Sequence, residues 1–439
     1  MIISISAYQV INIINMVIAI VFALLYFMQN VHLIVGTFTK HKKFKPAKKL
    51  HKYAYFICAR NEETVIGNLI DSIYTQNYPR ELMQVFVCAD NCTDNTKGVA
   101  ESHGAIVYER HSETQKGKCY ALDLLIKNVL KDSNYNDIEA FFVFDADNLL
   151  SKDYTKHMND TFDAGFQVST SFRDSKNFTS SLSAACSSVM FYRECLLVHH
   201  SRQNLHLGTF ISGTGYFVDR KIFETLGGWD FRTLTEDIEF SCYCAKENIK
   251  ISYNEEAIFY DEQPNKLHDA NKQRFRWCKG THQCNAKYGA KLFGRAFGPK
   301  KRSLTSRISC FEMFVHVFPA PIITTTWFVI YMILQTVLYL CGLMSNHQFV
   351  YNCILTVLFE LLAIFGIAIL HAIICTIKYW KHIPGKGYHK IAAMLMFPLF
   401  VALYIPLSYK ALFTKTVRWD AIPHTESIKI DDLEKQETK

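Results

Sequence analysis

The sequence lacks the usual devices for gripping a phosphorylated cofactor. No GxGxxG follows the first strand-like run and no GxxxxGK[ST] occurs anywhere in its 439 residues. Neither a dinucleotide fingerprint nor a P-loop is therefore supported. Its 14 cysteines form no CxxC pair and no regular spacing, and Cys58, Cys88 and Cys375 sit inside apolar runs. This argues against a metal ribbon or a disulfide framework and for reduced, buried thiols. Charge is missing too: from about Val10 to Gly36 there is no Lys, Arg, Asp or Glu. That stretch is long enough to cross a bilayer, which takes roughly 20 apolar residues. It is too long for a secretory leader, has no basic flank before it and no small-residue cleavage site after it.

The adjoining stretch is basic. Lys40-His-Lys-Lys-Phe-Lys-Pro-Ala-Lys-Lys-Leu-His-Lys52 abuts the apolar run and, by the positive-inside rule, marks the cytoplasmic side. Much of the net charge of +8 then reads as membrane topology, and no nucleic-acid partner is expected. Further apolar segments run from about Phe311 to Met344, Phe349 to Ile377 and Ile391 to Phe413, with a basic, aromatic loop from Lys378 to Lys390. One span before the polar region and three after it is the simplest count. Three crossings from the cytosol would put residues beyond Thr414 outside, whereas Lys410, Lys415 and Arg418 favour inside. Pro398 and Pro406 offer a way out by breaking the last segment into a re-entrant or interfacial pair.

In the polar region Ala54 to Ala59, Met83 to Ala89, Ala105 to Tyr108 and Phe141 to Phe144 read as strands. Helix-like stretches end near Tyr74 and His103 and run from Ala121 to Val129. This alternation predicts βαβ units and a parallel sheet. The fourth run ends abruptly in Asp145-Ala-Asp147. Ligands of such sheets collect beyond the carboxyl ends of buried parallel strands. Two hard oxygen ligands there suit Mg²⁺ or Mn²⁺ holding a diphosphate, or else form an ordinary acidic turn. Lys116-Gly-Lys118 could bring cations to phosphate, or be a solvated turn.

Two later islands add chemistry. Thr235-Glu236-Asp237 comes after Ser212-Gly213-Thr-Gly215 and Gly227-Gly-Trp229-Asp230. Carboxylates at a helix start are stabilised by its dipole, and Thr235 equally fits as an N-cap. Gln273-Arg-Phe-Arg-Trp277 puts two guanidiniums, an amide and an indole within one and a half turns. That set can clamp phosphate and present a flat face to a sugar, or be a plain amphipathic helix. Residues from His282 to Arg307 read as an interfacial helix.

Taken in order, Asp90, Asp145-Ala-Asp147, Thr235-Glu-Asp237 and Gln273-Arg-Phe-Arg-Trp277 resemble the D, DxD, TED and QxxRW motifs of membrane-bound family 2 glycosyltransferases. The similarity is greatest to the processive synthases of cellulose, hyaluronan, chitin and poly-N-acetylglucosamine. The resemblance implies an α/β GT-A domain with a mostly parallel sheet, joined to helical transmembrane segments. It implies Ala59 and Glu62 near the uridine, Asp90 on the uracil or ribose and Lys118 at the diphosphate. Asp145 would lie nearer the nucleotide and Asp147 would be the direct ligand of Mg²⁺ or Mn²⁺. Asp237 matches the catalytic base, with Glu236 beside it. Gln273, Arg274 and Arg276 match the pyrophosphate segment and Trp277 the floor under the acceptor sugar, with Gly213 on the same side. Trp419 to His424 resembles a short tail segment of the poly-N-acetylglucosamine branch.

The expected division is a transmembrane helix over 1–38, a cytosolic GT-A domain over 39–280, an interfacial segment over 281–310, about three membrane segments over 311–413 and a polar tail over 414–439. The implied activity is inverting transfer from a UDP-sugar to a growing extracellular or capsular polysaccharide at the plasma membrane, with processive export and a possible accessory subunit. One alternative is single transfer to a lipid, such as a polyprenyl phosphate or a glycolipid. Another is a ligand-binding sensor, disfavoured because every carboxylate that the chemistry requires is present. Glu360 lies mid-span and Glu312, His316 and His371 in or near spans, where ionisable groups mark either a substrate path or helix-to-helix hydrogen bonds.

Overall fold

The structure is a computed structural model that describes residues 6–298, 302–415 and 427–437. It opens with α1 (Ala7–Leu25) and α2 (Phe27–Phe38), which together form a 32-residue apolar rod. The Ser6 hydroxyl and the Gln9 side chain cap each other's backbone at its start.

The sheet domain begins as expected. β1 (Tyr53–Ala59), α3 (Ile66–Tyr74), β2 (Met83–Asp90), α4 (Thr96–Ser102), β3 (Ile106–Arg110), α5 (Lys118–Lys131) and β4 (Ala140–Asp145) alternate along the chain. The four strands pair in parallel in the order β3-β2-β1-β4. Both faces are covered, which is why these strands read as unbroken apolar runs. Tyr53, Tyr55 and Ile57 enter one core layer, and Ala54 and Phe56 the other. All four strands point their carboxyl ends the same way, so Ala59, Asp90 and Asp145 arrive at one edge.

The second half of the domain lies beyond the strands expected from the sequence. It runs β5 (Leu149–Leu150), α6 (Tyr154–Asp163), β6 (Val168–Ser175), α7 (Leu182–Glu194), α8 (Ser201–Asn204), β7 (Tyr216–Asp219), α9 (Arg220–Leu226), α10 (Glu236–Glu247) and β8 (Ile251–Asp261). Here the sheet is mixed. β7 lies antiparallel between β4 and β6, β8 runs parallel to β6, and β5 closes the edge antiparallel to β8.

Beyond the sheet come α11 (Leu267–Phe297), α12 (Leu304–Val317), α13 (Ala320–Leu340), α14 (Asn346–Leu361), α15 (Ile367–Lys378), α16 (Gly387–Ala402), α17 (Tyr404–Phe413) and α18 (Ile430–Glu437). Two expected boundaries move. The division at 280 and 281 falls inside α11, a single 31-residue helix. The apolar stretch from Phe311 to Met344 is broken at Phe318 and Pro319, between α12 and α13, because proline supplies no helix donor. Among the described residues four helices, Ala7–Phe38, Ala320–Leu340, Asn346–Lys378 and Gly387–Phe413, are long and apolar enough to cross a membrane.

Glu312 therefore sits outside those four helices, on α12. It takes His32 of α2 and, at 2.6 Å, the Arg202 guanidinium of α8. Against the upward push of burial, Arg202 and His32 hold the Glu312 carboxyl below its ordinary range. This buried trio ties the amino-terminal rod to the sheet domain.

The last apolar segment is held to that domain along its length. The Arg274 guanidinium on α11 donates to the Phe400 carbonyl of α16. Lys279 of the same helix donates to the Thr414 carbonyl at 2.7 Å, just past α17. Ile430 and Leu433 of α18 then pack on Leu149 and Tyr260 of the sheet edge, and Lys152 pairs with Asp431 at 3.1 Å. The described part of the tail thus rests on the sheet domain. Arg418 and the segment from Trp419 to His424 lie outside the described residues.

Candidate active site

The strand ends open into a cavity of about 1110 Å³ that reaches from the turns after β1, β2 and β4 to the helices of the carboxyl-terminal third. Ala59, Glu62, Asp90, Lys118, Asp145, Asp147, Gly213, Glu236, Asp237, Gln273, Arg276 and Trp277 all line it. Arg274 does not.

At the strand-end side the charges are set against one another. Asp90, buried at the tip of β2, pairs with Arg110 at 2.6 Å. Lys118 opens α5 directly after Gly117, whose φ of 128° is a backbone state that suits glycine. Its ammonium meets the Asp145 carboxylate and, at 2.6 Å, the Gly213 carbonyl. Burial works against a charged Lys118, but Asp145 and Glu236 hold its pKa above the ordinary lysine value. Of Lys116-Gly-Lys118, then, the second lysine is the one that lines the cavity.

The turn after β4 is pinned from several sides. The Asp145 amide donates to Thr214 Oγ1 at 2.9 Å, and Asn148 Nδ2 donates to Asp261 Oδ1 at 2.8 Å. Asp147 is buried and its Oδ2 accepts the Glu262 amide at 3.2 Å. Among the described residues no three His, Cys, Asp or Glu side chains gather as a metal site. The protein would offer the two carboxylates of Asp145 and Asp147, a donor set that fits a hard cation taking its other ligands from phosphate and water.

Glu236 and Asp237 form the first turn of α10. Thr235 is in the N-cap position but its side chain caps nothing; its hydroxyl lies 3.6 Å from Cys284 Sγ. Burial and the adjacent Asp237 charge push the Glu236 carboxyl up to about 7, with Lys118 and Arg276 opposing the shift. Burial likewise raises Asp237. The loop bearing Gly213 passes close by: a Cβ on that glycine would stand 3.8 Å from Asp237 Oδ2, and its φ of 81° disfavours any side chain. A carboxylate at a helix start, facing two cations and an open cavity, can accept a proton from an incoming hydroxyl.

On α11 the expected clamp divides. Gln273, Arg276 and Trp277 stand three and four residues apart and share the cavity face. Arg274 is two residues from Arg276, so about 200° of helical turn separates them. Its guanidinium lies 3.7 Å from the centre of the Phe400 ring. It bonds Asn271 Oδ1 and the Phe400 carbonyl, so it serves docking rather than the cavity. Arg276 stays at the site and reaches the Leu234 carbonyl at 3.3 Å. Trp277 meets Phe191 edge to face, with ring centres 6.0 Å apart.

Several lining groups have no signal in the sequence. Arg173 of β6 lies 4.2 Å from the Phe191 ring centre and donates to the Ser212 carbonyl. Glu194 accepts the Ser212 hydroxyl and faces His199 at 3.3 Å. Against burial, His199, Ser212 and Arg173 pull its carboxyl down to about 2.

This geometry agrees with what is known of similar chains. The family described as "Glycosyltransferase like family 2" matches residues 51–280. The chain is 26% identical over 262 residues to the Probable glycosyltransferase YdaM of Bacillus subtilis, covering 56% of this chain and 59% of that protein. It is 26% identical over 264 residues to a beta-monoglucosyldiacylglycerol synthase of Nostoc, covering 56% and 52%. It is 22% identical over 275 residues to a poly-beta-1,6-N-acetyl-D-glucosamine synthase of Staphylococcus epidermidis, covering 58% and 63%. The chain thus spans less than two thirds of the length of these relatives. In fold it is similar to the mannosyltransferase PcManGT of Pyrobaculum calidifontis, solved with GDP-Man and Mn²⁺. The TM-score is 0.55 at 14% identity, over 90% of this chain and 97% of that one. With a GT-A sheet, acidic strand ends and a family match over more than half its length, the chain belongs to glycosyltransferase family 2.

Proposed function

We propose that this enzyme works at a membrane, inverting the anomeric centre of a UDP-sugar as it transfers the sugar to an acceptor arriving from the bilayer side. The observation that carries the reading is the continuity of the cavity. The same space is lined by Asp90, Lys118, Asp145 and Asp237 at one end and by Pro321, Ile364, Val401 and Ile405 of the apolar helices at the other.

In this reading Asp237 takes the proton of the acceptor hydroxyl, whose oxygen attacks the anomeric carbon as the bond to the nucleoside diphosphate breaks on the opposite face. Lys118 and Arg276 offset the charge that develops on the departing diphosphate. Asp147 and Asp145 are the residues that would hold Mg²⁺ or Mn²⁺, whose chemistry when bound is further charge stabilisation of the same leaving group. The docked tail and the anchored α16 and α17 support a cytosolic tail, with α13 leaving, α14 and α15 returning, and the last segment lying along the domain.

Of the two acceptors that the sequence suggests, a lipid is favoured by the aliphatic far wall, and by the lipid product in the name of the Nostoc relative. A growing polysaccharide draws support from Trp277, Phe191 and Tyr404, rings in the same cavity on which sugars could rest, and from the Staphylococcus relative. Membranes carrying the full chain, incubated with radiolabelled UDP-sugars and Mg²⁺ or Mn²⁺, decide between them. One sugar in an organic-extractable product supports the lipid, and high polymer supports the second reading. Retained UDP binding with no transfer to either would overturn the proposal.

A further inference from the structure

At the membrane end of the cavity one cation has no acid. Arg193, in the last turn of α7, donates from Nε to His371 Nδ1 of α15 at 3.2 Å. Among the described residues no carboxylate forms an ion pair with it. Its neighbour Glu194 is engaged by Ser212 and His199. Glu360 lies eleven residues before His371, about 16 Å along the helix axis. An imidazole that accepts at Nδ1 carries its proton on Nε2, so His371 keeps a second donor. Both side chains line the cavity, where Ile364, Ile367, Val401 and Ile405 form the nearby apolar wall.

A guanidinium in such surroundings is costly unless an anion meets it. Its planar fork matches phosphate, and the protein has left that fork open toward the cavity. The donor's diphosphate already has Lys118 and Arg276 at the strand-end side, whereas Arg193 is tied to a helix of a candidate span. A phosphate here would belong to a molecule whose remainder tolerates aliphatic walls.

We propose that Arg193, assisted by His371, binds the phosphate of a long-chain phosphorylated lipid whose chain lies along Ile364, Ile367, Val401 and Ile405. This rests on the reading that the acceptor comes from the bilayer and narrows it: the acceptor carries an anionic phosphate, unlike a neutral diacylglycerol or an uncharged polysaccharide. His371 is a positioning residue that fixes the guanidinium.

The test uses the full chain in maltoside micelles with UDP and Mn²⁺, titrated with farnesyl phosphate, farnesol and inorganic phosphate by native mass spectrometry. Wild type is expected to prefer farnesyl phosphate to farnesol by about tenfold or more, the worth of a charge-assisted fork. Inorganic phosphate should not displace it. Arg193→Gln should remove the preference while UDP binding stays unchanged, and Arg193→Lys should keep part of it. Equal binding of farnesol and farnesyl phosphate by wild type overturns the proposal, as does a preference that survives Arg193→Gln. Displacement by inorganic phosphate at equal concentration also overturns it, by showing a site for the free anion. The wild-type comparison decides even if the variant does not fold. Failure of wild type to bind UDP counts against the proposed donor, and not against this site.

Discussion

The two ends of the cavity are built on opposite principles. At the strand ends, Asp90 faces Arg110, Asp145 faces Lys118, and the Glu236–Asp237 pair faces Lys118 and Arg276. At the helix-walled end Ile364, Ile367, Val401 and Ile405 line the space, and Arg193 has an imidazole for company instead of a carboxylate. The first end is organised before any substrate arrives, as electrostatic stabilisation of a transition state requires. The second end leaves a charge to be answered by the substrate. The difference separates chemistry from recognition, and it can be broken one end at a time.

The largest effect is expected at Asp237. Asp237→Asn keeps the size and the helix start but removes the group proposed to accept the hydroxyl proton. Transfer should fall by roughly 10³-fold or more, within the span that general-base catalysis contributes. UDP-sugar binding, followed by calorimetry, should be retained because the nucleotide-side groups are untouched. An Asp237→Asn variant that still turns over would remove Asp237 from its role and blur the separation between the two ends.

A smaller and more discriminating effect comes from the two arginines of α11. Arg276→Gln takes a cation from the chemical end and should lower kcat/KM by about 10²-fold, the cost of losing one charge-stabilising donor. Its melting temperature should hardly move. Arg274→Ala should do the reverse. It leaves the Phe400 carbonyl and the Asn271 amide oxygen without their donor, at a cost of about 2 kcal/mol in stability. The donor KM of the folded fraction should stay near wild type. Thermal melts beside steady-state kinetics separate the two, and equal catalytic losses would mean that Arg274 reaches the substrate after all.

These residues also show what can be read from a sequence. β1 to β4 are legible because strands buried on both faces are apolar throughout, and the acidic turn at the end of β4 stands out against them. β6 is not: Ser169, Thr170, Ser171, Asp174 and Ser175 are all buried. Two of them are met from a distance: Ser171 Oγ donates to the Gly215 carbonyl at 2.6 Å, and Asp174 accepts the Tyr192 hydroxyl. Arg173 is hidden with that strand, since no local pattern reveals a polar strand satisfied from elsewhere. The displacement of Arg274 is legible in principle, because residues two apart on a helix cannot share a face. Arg193 is invisible for a different reason: its meaning depends on a partner 178 residues away in sequence.

The smallest effect concerns pH and the carboxyl pair. Burial raises both Glu236 and Asp237 above the ordinary range, and the Asp237 charge raises Glu236 further, so the pair holds a proton that the unfolded chain has already released. Between the ordinary glutamate value of 4.5 and the raised value of about 7 for Glu236, the native state binds more protons than the unfolded state. Stability is then fully present below the lower value and is lost as pH rises through the upper one. Activity runs the other way, since Asp237 must be ionised to accept a proton. Glu236→Gln removes the group that keeps this proton, while the acid limb of kcat/KM, set by Asp237, should stay in place. The loss of thermal stability between pH 5 and pH 8 should shrink by the same change. Melts and pH–rate profiles measured on both proteins check the two halves separately. If the limb moves with the melts, Glu236 belongs to the chemistry as well as to the fold, and the chemical end is not set by Asp237 with Lys118 and Arg276 alone.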